Sequence, residues 1–400
     1  MKRAYEALLE EHLSTNRQMA MLCGPRQVGK TTTSRASAGE HRYFTWDRLT
    51  DKRLITKGAD AVLQELSLDD LDDRRLINVV FDEIHKYSKW RAFLKGFFDV
   101  AEKRVRLIVT GSARLGFFRR GGDSLMGRYF LYRMHPLSIG ELLRAGVRET
   151  ELSNPVAPPK DALPQLLRFG GFPEPFLKNS DRFYNRWRRL RSELLFREDL
   201  RDLTLVQEVG QVQLLAQMLA AQAGQLVNYS SLANDLNVSV GTVKRWIAML
   251  QALFHCFTLR PWFRNVPKSL RKQPKVFLWD WSLVADKGAR NENLVASHLL
   301  KAVHWWTDIG LGSYALYYLR DKQKREVDFL VVREGEPWFL VEVKSAEGRR
   351  LNPALEYFQE KTGAQHAFQV AADLDFVERD CFSEHRPIRV PAETLLSQLP

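Results

Sequence analysis

Apolar residues along this chain gather into short runs of strand length, set between longer segments of helical period. In the first third the runs are Met19-Ala20-Met21-Leu22-Cys23, Leu76-Ile77-Asn78-Val79-Val80-Phe81 and Val105-Arg106-Leu107-Ile108-Val109-Thr110. Such runs suit strands covered on both faces. With helix-length segments between them they predict a doubly wound α/β sheet whose ligand lies along the carboxyl ends of the strands. Arg148 to Pro164 is rich in proline and poor in apolar residues, and so reads as a linker or domain edge. Helical spacing returns in 182–191 and in 228–250. Further on, strands are predicted at 275–280, 314–319, 326–332, 338–343 and 366–370, and helices at 291–300 and 354–361. The expected divisions are 1–147, a linker and helical connector at 148–210, a small helical domain at 211–274, and a final α/β domain at 275–400.

Between the first strand and the helix opened by Thr31-Thr32-Thr33 lies Gly24-Pro25-Arg26-Gln27-Val28-Gly29-Lys30-Thr31, which fits G-x-x-x-x-G-K-[ST]. Gly24 and Gly29 let the backbone turn so that its N–H groups converge on anionic oxygens, with the positive end of the helix dipole behind them. In this pattern Lys30 reaches the β- and γ-phosphates of a nucleotide, and the Thr31 hydroxyl ligates Mg²⁺, with Thr32 next in the same turn. The second strand ends in Asp82-Glu83. There Asp82 is placed to bind Mg²⁺ through water and Glu83 to orient the water that attacks the γ-phosphate. The third strand ends in Gly111-Ser112, putting a small polar side chain beside the same phosphate. ATP and Mg²⁺ are the expected cofactors.

The spacing of these three elements resembles the AAA superfamily of P-loop ATPases. Arg26 inside the loop, Thr110-Gly111-Ser112, Gly127-Arg128, Pro136-Leu137-Ser138 and Gly170-Gly171-Phe172-Pro173 narrow the resemblance. They resemble a prokaryotic ATPase group of poorly defined function whose members carry a C-terminal domain with a nuclease-like core. The resemblance implies an arginine after the sensor strand that contacts the γ-phosphate, in cis or from a neighbouring subunit of a homo-oligomer. Arg128 is the first candidate and Arg114 the second.

In the middle of the chain, 182–191 is a basic helix whose aromatics Phe183, Tyr184 and Trp187 recur at helical spacing, as core residues do, while its five arginines offer a phosphate-facing surface. Within 228–250, Ser230 or Ser231 can cap one helix, Leu236-Asn237-Val238 makes a turn, and Ser239 caps a second helix. Leu232, Ala233, Leu236, Val238, Val243, Ile247 and Leu250 then share a core, and Thr242, Lys244 and Arg245 stay outside. This resembles a winged helix-turn-helix, which implies that those three residues face DNA.

In the last third, Asp328 lies on the middle of three consecutive strands, and Glu342-Val343-Lys344 ends the next. Period-two alternation puts Glu342 and Lys344 on one face. Asp328 and Glu342 could then share a divalent metal, with Lys344 stabilising charge or activating water and Glu292 joining from the preceding helix. The order α-β-β-β-α-β resembles the PD-(D/E)xK restriction-endonuclease and Holliday-junction-resolvase superfamily. The resemblance maps its Glu, Asp and Glu-x-Lys positions onto Glu292, Asp328, Glu342 and Lys344, and implies a second Mg²⁺ or Mn²⁺ site. Glu326 stands where that superfamily often has a proline.

At 400 residues the chain exceeds one ordinary core. Lys and Arg number 60 against 48 Asp and Glu, a net charge of +12 that favours a polyanionic partner, nucleic acid before membrane. Cys23, Cys256 and Cys381 are too dispersed for a metal site, and a reducing cytoplasm is expected. The first residues hold no apolar signal core, and no window approaches the ~18 consecutive apolar residues that span a bilayer. Three functions fit: an ATPase working on branched or processed DNA, an ATP-regulated metal-dependent DNA nuclease, and a nucleotide-dependent signalling or defence switch that binds protein.

Overall fold

Five strands, β1 (Met19–Cys23), β2 (His41–Thr45), β3 (Ile77–Asp82), β4 (Val105–Gly111) and β5 (Tyr129–Arg133), build one parallel sheet in the order β2-β3-β4-β1-β5. The computed structural model describes residues 1–66, 76–101, 103–112, 125–144, 146–147, 150–200, 208–263, 272–344 and 350–400. These divide into two compact units, Met1–His135 with Ala145–Val147, and Pro136–Arg144 with Arg148–Pro400. The parallel sheet belongs to the first.

The three apolar runs become β1, β3 and β4. β1 is buried along its whole length, as its uninterrupted apolar sequence requires. The edge strands β2 and β5 are only partly buried, and the apolar pattern does not predict them. Register sets the strand ends. Cys23 pairs with Gly111, Phe81 with Val109 and Thr45 with Asp82, so the strands end level with one another. The loops that leave β1, β3 and β4 therefore emerge along one sheet edge. The amphipathic helix Trp90–Ala101 covers the sheet with Phe93 and Phe97, whose rings meet Phe81 edge-on at 5.4 and 5.3 Å. Burying each such ring is worth about 1.5–3 kcal/mol.

In the second unit the helices Ala162–Phe169, Pro173–Lys178 and Asp181–Leu194 precede a three-helix module, Val209–Ala221, Tyr229–Asp235 and Val240–Ala252. Two of the aromatics of the basic helix are core, while Phe183 is half-buried: Tyr184 meets Phe169 at 5.8 Å and Trp187 meets Phe172 at 5.3 Å. Of its arginines, Arg191 is turned inward onto Asp280 at 3.0 Å. The helix at 229–235 is capped by Asn228, whose Oδ1 accepts from the Ser230 and Ser231 N–H groups, so neither serine is the cap. Ser239 does cap the next helix. Leu232, Ala233, Leu236, Val243, Ile247 and Leu250 are buried together with Trp246, while Val238 is half-buried. An antiparallel pair, β6 (Cys256–Leu259) and β7 (Lys275–Leu278), closes this module in a two-stranded sheet of its own.

The long helix Lys287–Asp308 leads into β8 (Tyr314–Arg320), β9 (Glu326–Arg333), β10 (Glu336–Lys344), β11 (His366–Ala371) and β12 (Ile388–Pro391), in sheet order β12-β11-β10-β9-β8. β8, β9 and β10 run antiparallel, and β10, β11 and β12 parallel. The helix Pro353–Thr362 seats Leu355 and Phe358 on Leu330, Leu340 and Ala367. The expected α-β-β-β-α-β order is present. The short β12 and the helix Ala392–Ser397 lengthen it. Among the described residues no helix is long and apolar enough to cross a membrane.

Candidate functional site

The first site is the loop that leaves β1. Gly24 is required by space, since an added Cβ would lie 2.3 Å from the Met134 carbonyl oxygen, and Gly29 by its φ of +105°. Lys30 folds back over the loop and donates from Nζ to the carbonyls of Gly24 at 2.9 Å and Pro25 at 2.8 Å. Burial lowers its pKa, opposed by the charges of Glu83 and Asp82. Thr31 Oγ1 donates to Asp82 Oδ2 at 2.8 Å, and the Tyr43 hydroxyl donates to the same oxygen at 2.6 Å. Thr110 Oγ1 donates to the other Asp82 oxygen. Glu83, at a left-handed φ of 54°, accepts from Ser112 Oγ at 3.2 Å, with His85 Nε2 at 3.4 Å from the serine oxygen. Burial alone would raise the Glu83 pKa, but Lys30, His85, Lys86 and Arg26 outweigh it and hold the carboxyl below its usual range. Thus Lys30, Thr31, Asp82, Glu83 and Ser112 meet at one edge. Pro25 and Val28 are buried within the loop, Arg26 is half-buried, and Gln27 and Thr32 are exposed.

The second site gathers acids in the final α/β sheet. Glu292, Asp328 and Glu342 come together, and so does a fourth, Glu326, around a lysine that no sequence motif marks. Lys275 Nζ lies 3.2 Å from Glu292 Oε1, 3.2 Å from Asp328 Oδ1 and 2.7 Å from Glu326 Oε1. The register that sets Val341 opposite Phe329 places Glu342 opposite Asp328. The Asp328 N–H donates to Glu342 Oε2 at 3.2 Å, and the Val343 N–H to Asp328 Oδ2 at 2.9 Å. Lys344 is half-exposed and reaches Glu342 Oε1 at 2.8 Å, which also accepts from the Asn352 amide at 2.8 Å. Burial would lower the Lys275 pKa, but Asp328, Glu292 and Glu326 raise it. Burial and Asp328 push Glu292 up to about 8, against the pull of Lys275. Among the described residues no three His, Cys, Asp or Glu side chains are gathered in a way that could hold a metal ion.

On the helix Val240–Ala252, Lys244 and Arg245 are exposed, with Lys244 Nζ 5.4 Å from the Tyr229 ring centre. The Thr242 hydroxyl is engaged with Ser239 Oγ at 2.9 Å, inside the helix cap.

Residues 16–143 match the AAA domain family. Residues 160–292 match a domain of unknown function (DUF8612), and residues 287–384 another (DUF4143). The chain is similar to the uncharacterized protein Rv2008c of Mycobacterium tuberculosis, 26% identical over 327 residues, which cover 80% of this chain and 69% of that protein. It is also similar to the uncharacterized protein MJ1637 of Methanocaldococcus jannaschii, 23% identical over 65% of this chain and 60% of that one. Among solved structures, AMPPCP-bound DnaA from Aquifex aeolicus aligns at a TM-score of 0.29 and 13% identity, over 62% of this chain and 87% of that one.

Within the stretch that matches the AAA domain family, Arg128 stands just before β5, at the end of the sheet opposite the loop. Its carbonyl accepts from Met19 N, and its guanidinium clamps Asp99 at 2.6 and 3.0 Å. At about 3.3 Å per residue, the five residues of β1 separate it from the loop. The fold does not bring Arg128 to the loop of its own chain. Arg114 lies outside the described residues. A buried arginine absent from the motif does reach the loop: Arg3 donates to the Val28 carbonyl at 2.5 Å and to that of His135 at 2.7 Å. Its only mark in the sequence is a place before an amphipathic helix, which is too common a context to point to a site.

Gly24→Ala tests the close approach to Met134. The added methyl must push β1 and Met134 apart, and a shift of order 1 Å at a reactive site costs about a hundredfold in turnover. The expected result is retained circular dichroism with ATPase rate down by about that factor. A rate equal to wild type would remove the close approach as a constraint on the loop.

Proposed function

We propose that this protein binds ATP with Mg²⁺ at the 24–31 loop, hydrolyses it, and couples the cycle to DNA held by the second unit. The observation that carries the nucleotide reading is the Thr31 to Asp82 contact of 2.8 Å beside the folded loop and Lys30. The donor set fits the group: a hydroxyl and a carboxylate for the cation, an ammonium and turned backbone for phosphate. Bound Mg·ATP supplies the phosphoanhydride whose cleavage drives the cycle. Lys30 and the loop hold the phosphates, and Asp82 is oriented by the hydrogen bonds it accepts from the Tyr43 and Thr110 hydroxyls. Glu83 orients a water, steadied by Ser112. A γ-phosphate contact by Arg128 requires a neighbouring copy, since Arg128 immediately precedes β5, beside the start of β1 and at the opposite end of the strands from the loop.

The DNA reading rests on the three-helix module with its β6–β7 pair, which we take as a winged helix, and on exposed Lys244 and Arg245. The net charge of +12 agrees with a polyanionic partner. The test is the ATPase rate with and without duplex, single-stranded and four-way-junction DNA, joined to a salt titration of binding. Affinity should fall steeply with salt. Reversing Lys244 and Arg245 to Glu removes two phosphate contacts, which lowers the slope of log affinity against log salt by about 1.8. No binding at low salt, or an unchanged slope in the double variant, would leave the module as a protein-packing element.

A further inference from the structure

The nuclease-like resemblance implies a divalent metal among Glu292, Asp328 and Glu342. From the geometry we infer that the Lys275 ammonium, delivered by β7, stands in that metal's place. The acidic cluster is then a metal-free anchor for the segment carrying Lys275, not a hydrolytic centre.

An ammonium has three N–H donors. Glu326, Asp328 and Glu292 lie at 2.7, 3.2 and 3.2 Å from Nζ, one carboxylate for each donor. Other oxygens of the cluster are also taken: Glu326 Oε2 accepts from Arg320 at 2.6 Å. Asp328 Oδ2 accepts from Val343 N, and Glu342 accepts from Asp328 N on one oxygen and from Asn352 and Lys344 on the other. A divalent ion entering here would have to displace protein donors from Asp328, Glu326 and Glu342 and would sit against a fixed positive charge.

Access is closed from the side of the helical module. The Gly224 turn lies on Glu292, so closely that a Cβ on Gly224 would be 2.8 Å from Oε2. Gly224 N donates to Val276 O, and Leu226 bridges to Lys275, which ties this turn to β7. Tyr318 closes another side, its ring centre 5.8 Å from Nζ and its hydroxyl donating to Gln273 O at 2.6 Å. The Lys275 side chain is 4% exposed. A buried cation with all its donors spent stands where a divalent ion would have to activate a water.

The test uses the full chain without nucleotide, so that the outcome is independent of the ATP site. Mn²⁺ uptake is measured by electron paramagnetic resonance, and thermal unfolding with and without Mn²⁺, for wild type, Asp328→Asn, Lys275→Met, and the Lys275→Met and Asp328→Asn double variant. Wild type and Asp328→Asn should take up the same Mn²⁺. Lys275→Met should take up one more ion per chain and gain a Mn²⁺-dependent rise in unfolding temperature, both lost in the double variant. The inference is overturned if wild type binds an ion that Asp328→Asn loses, if wild type cuts DNA with Mn²⁺ and Asp328→Asn does not, or if a folded Lys275→Met gains no ion. Should Lys275→Met fail to fold, the wild-type and Asp328→Asn comparison decides alone.

Discussion

Lys30→Ala should abolish ATP binding, whereas Glu83→Gln should still bind ATP and turn it over slowly. Lys30 does two things at the loop. Its buried ammonium supplies positive charge there, and it ties the loop together by donating to the Gly24 and Pro25 carbonyls. Truncation removes the charge and leaves both carbonyls without that donor. Hydrogen bonds to charged groups are worth about 1.5–3 kcal/mol each. Losing two comparable contacts to phosphate weakens binding by more than about a hundredfold. Glu83→Gln keeps side-chain volume and an oxygen for Ser112 Oγ, so the loop is undisturbed. The variant loses the carboxylate charge that orients water, a contribution of about 10²–10⁴ in rate. Nucleotide binding by fluorescence anisotropy and single-turnover hydrolysis separate the two effects. Unchanged turnover in both variants would end the ATPase reading.

The largest stability effect is expected at Lys301 and Glu141, both in the second unit. Lys301, on the helix Lys287–Asp308, is 2% exposed and donates to Glu141 Oε2, to Ser138 Oγ at 2.8 Å and to Pro136 O at 3.4 Å. Taking two charges out of water is costly, and the pair persists because each satisfies the other. Breaking a buried pair by removing one partner costs about 3–5 kcal/mol, while replacing both by apolar residues of similar volume is often neutral. Lys301→Met should therefore lower the denaturation midpoint strongly, and adding Glu141→Leu to it should recover most of the loss. Urea titrations of the four corners of that cycle give the coupling directly. Equal losses in the single and double variants would show that volume, not charge, is the requirement at this position.

The phosphate loop is legible because its information is local. Strand, glycine turn, lysine and helix start fall within one short segment, and each residue type answers a constraint set by its immediate neighbours. The same holds for Asp82-Glu83 at the end of an apolar run, for the Ser239 cap, and for the alternation that sets Glu342 and Lys344 on one face of β10. The cap at Asn228 lies two or three residues before the serines that the local pattern favours, since Asn and Ser serve equally well there.

Tertiary structure alone decided the rest, and in each case the reason is pairing over long sequence separation. Lys275 lies far along the chain from Asp328 and has no neighbour that marks it as a cation for an acidic cluster. Arg3 reaches the loop only because its helix folds against β1, and Lys301 looks like any lysine on a helix until Glu141 is placed against it. Strand register set Arg128 at the wrong end for its own loop, and no local pattern encodes that register. The sequence by itself determined which short segments could handle phosphate and where strands and helices run. Packing decided which charges are buried together and what cation the acidic cluster holds, because a charge's role depends on the partners that burial forces upon it.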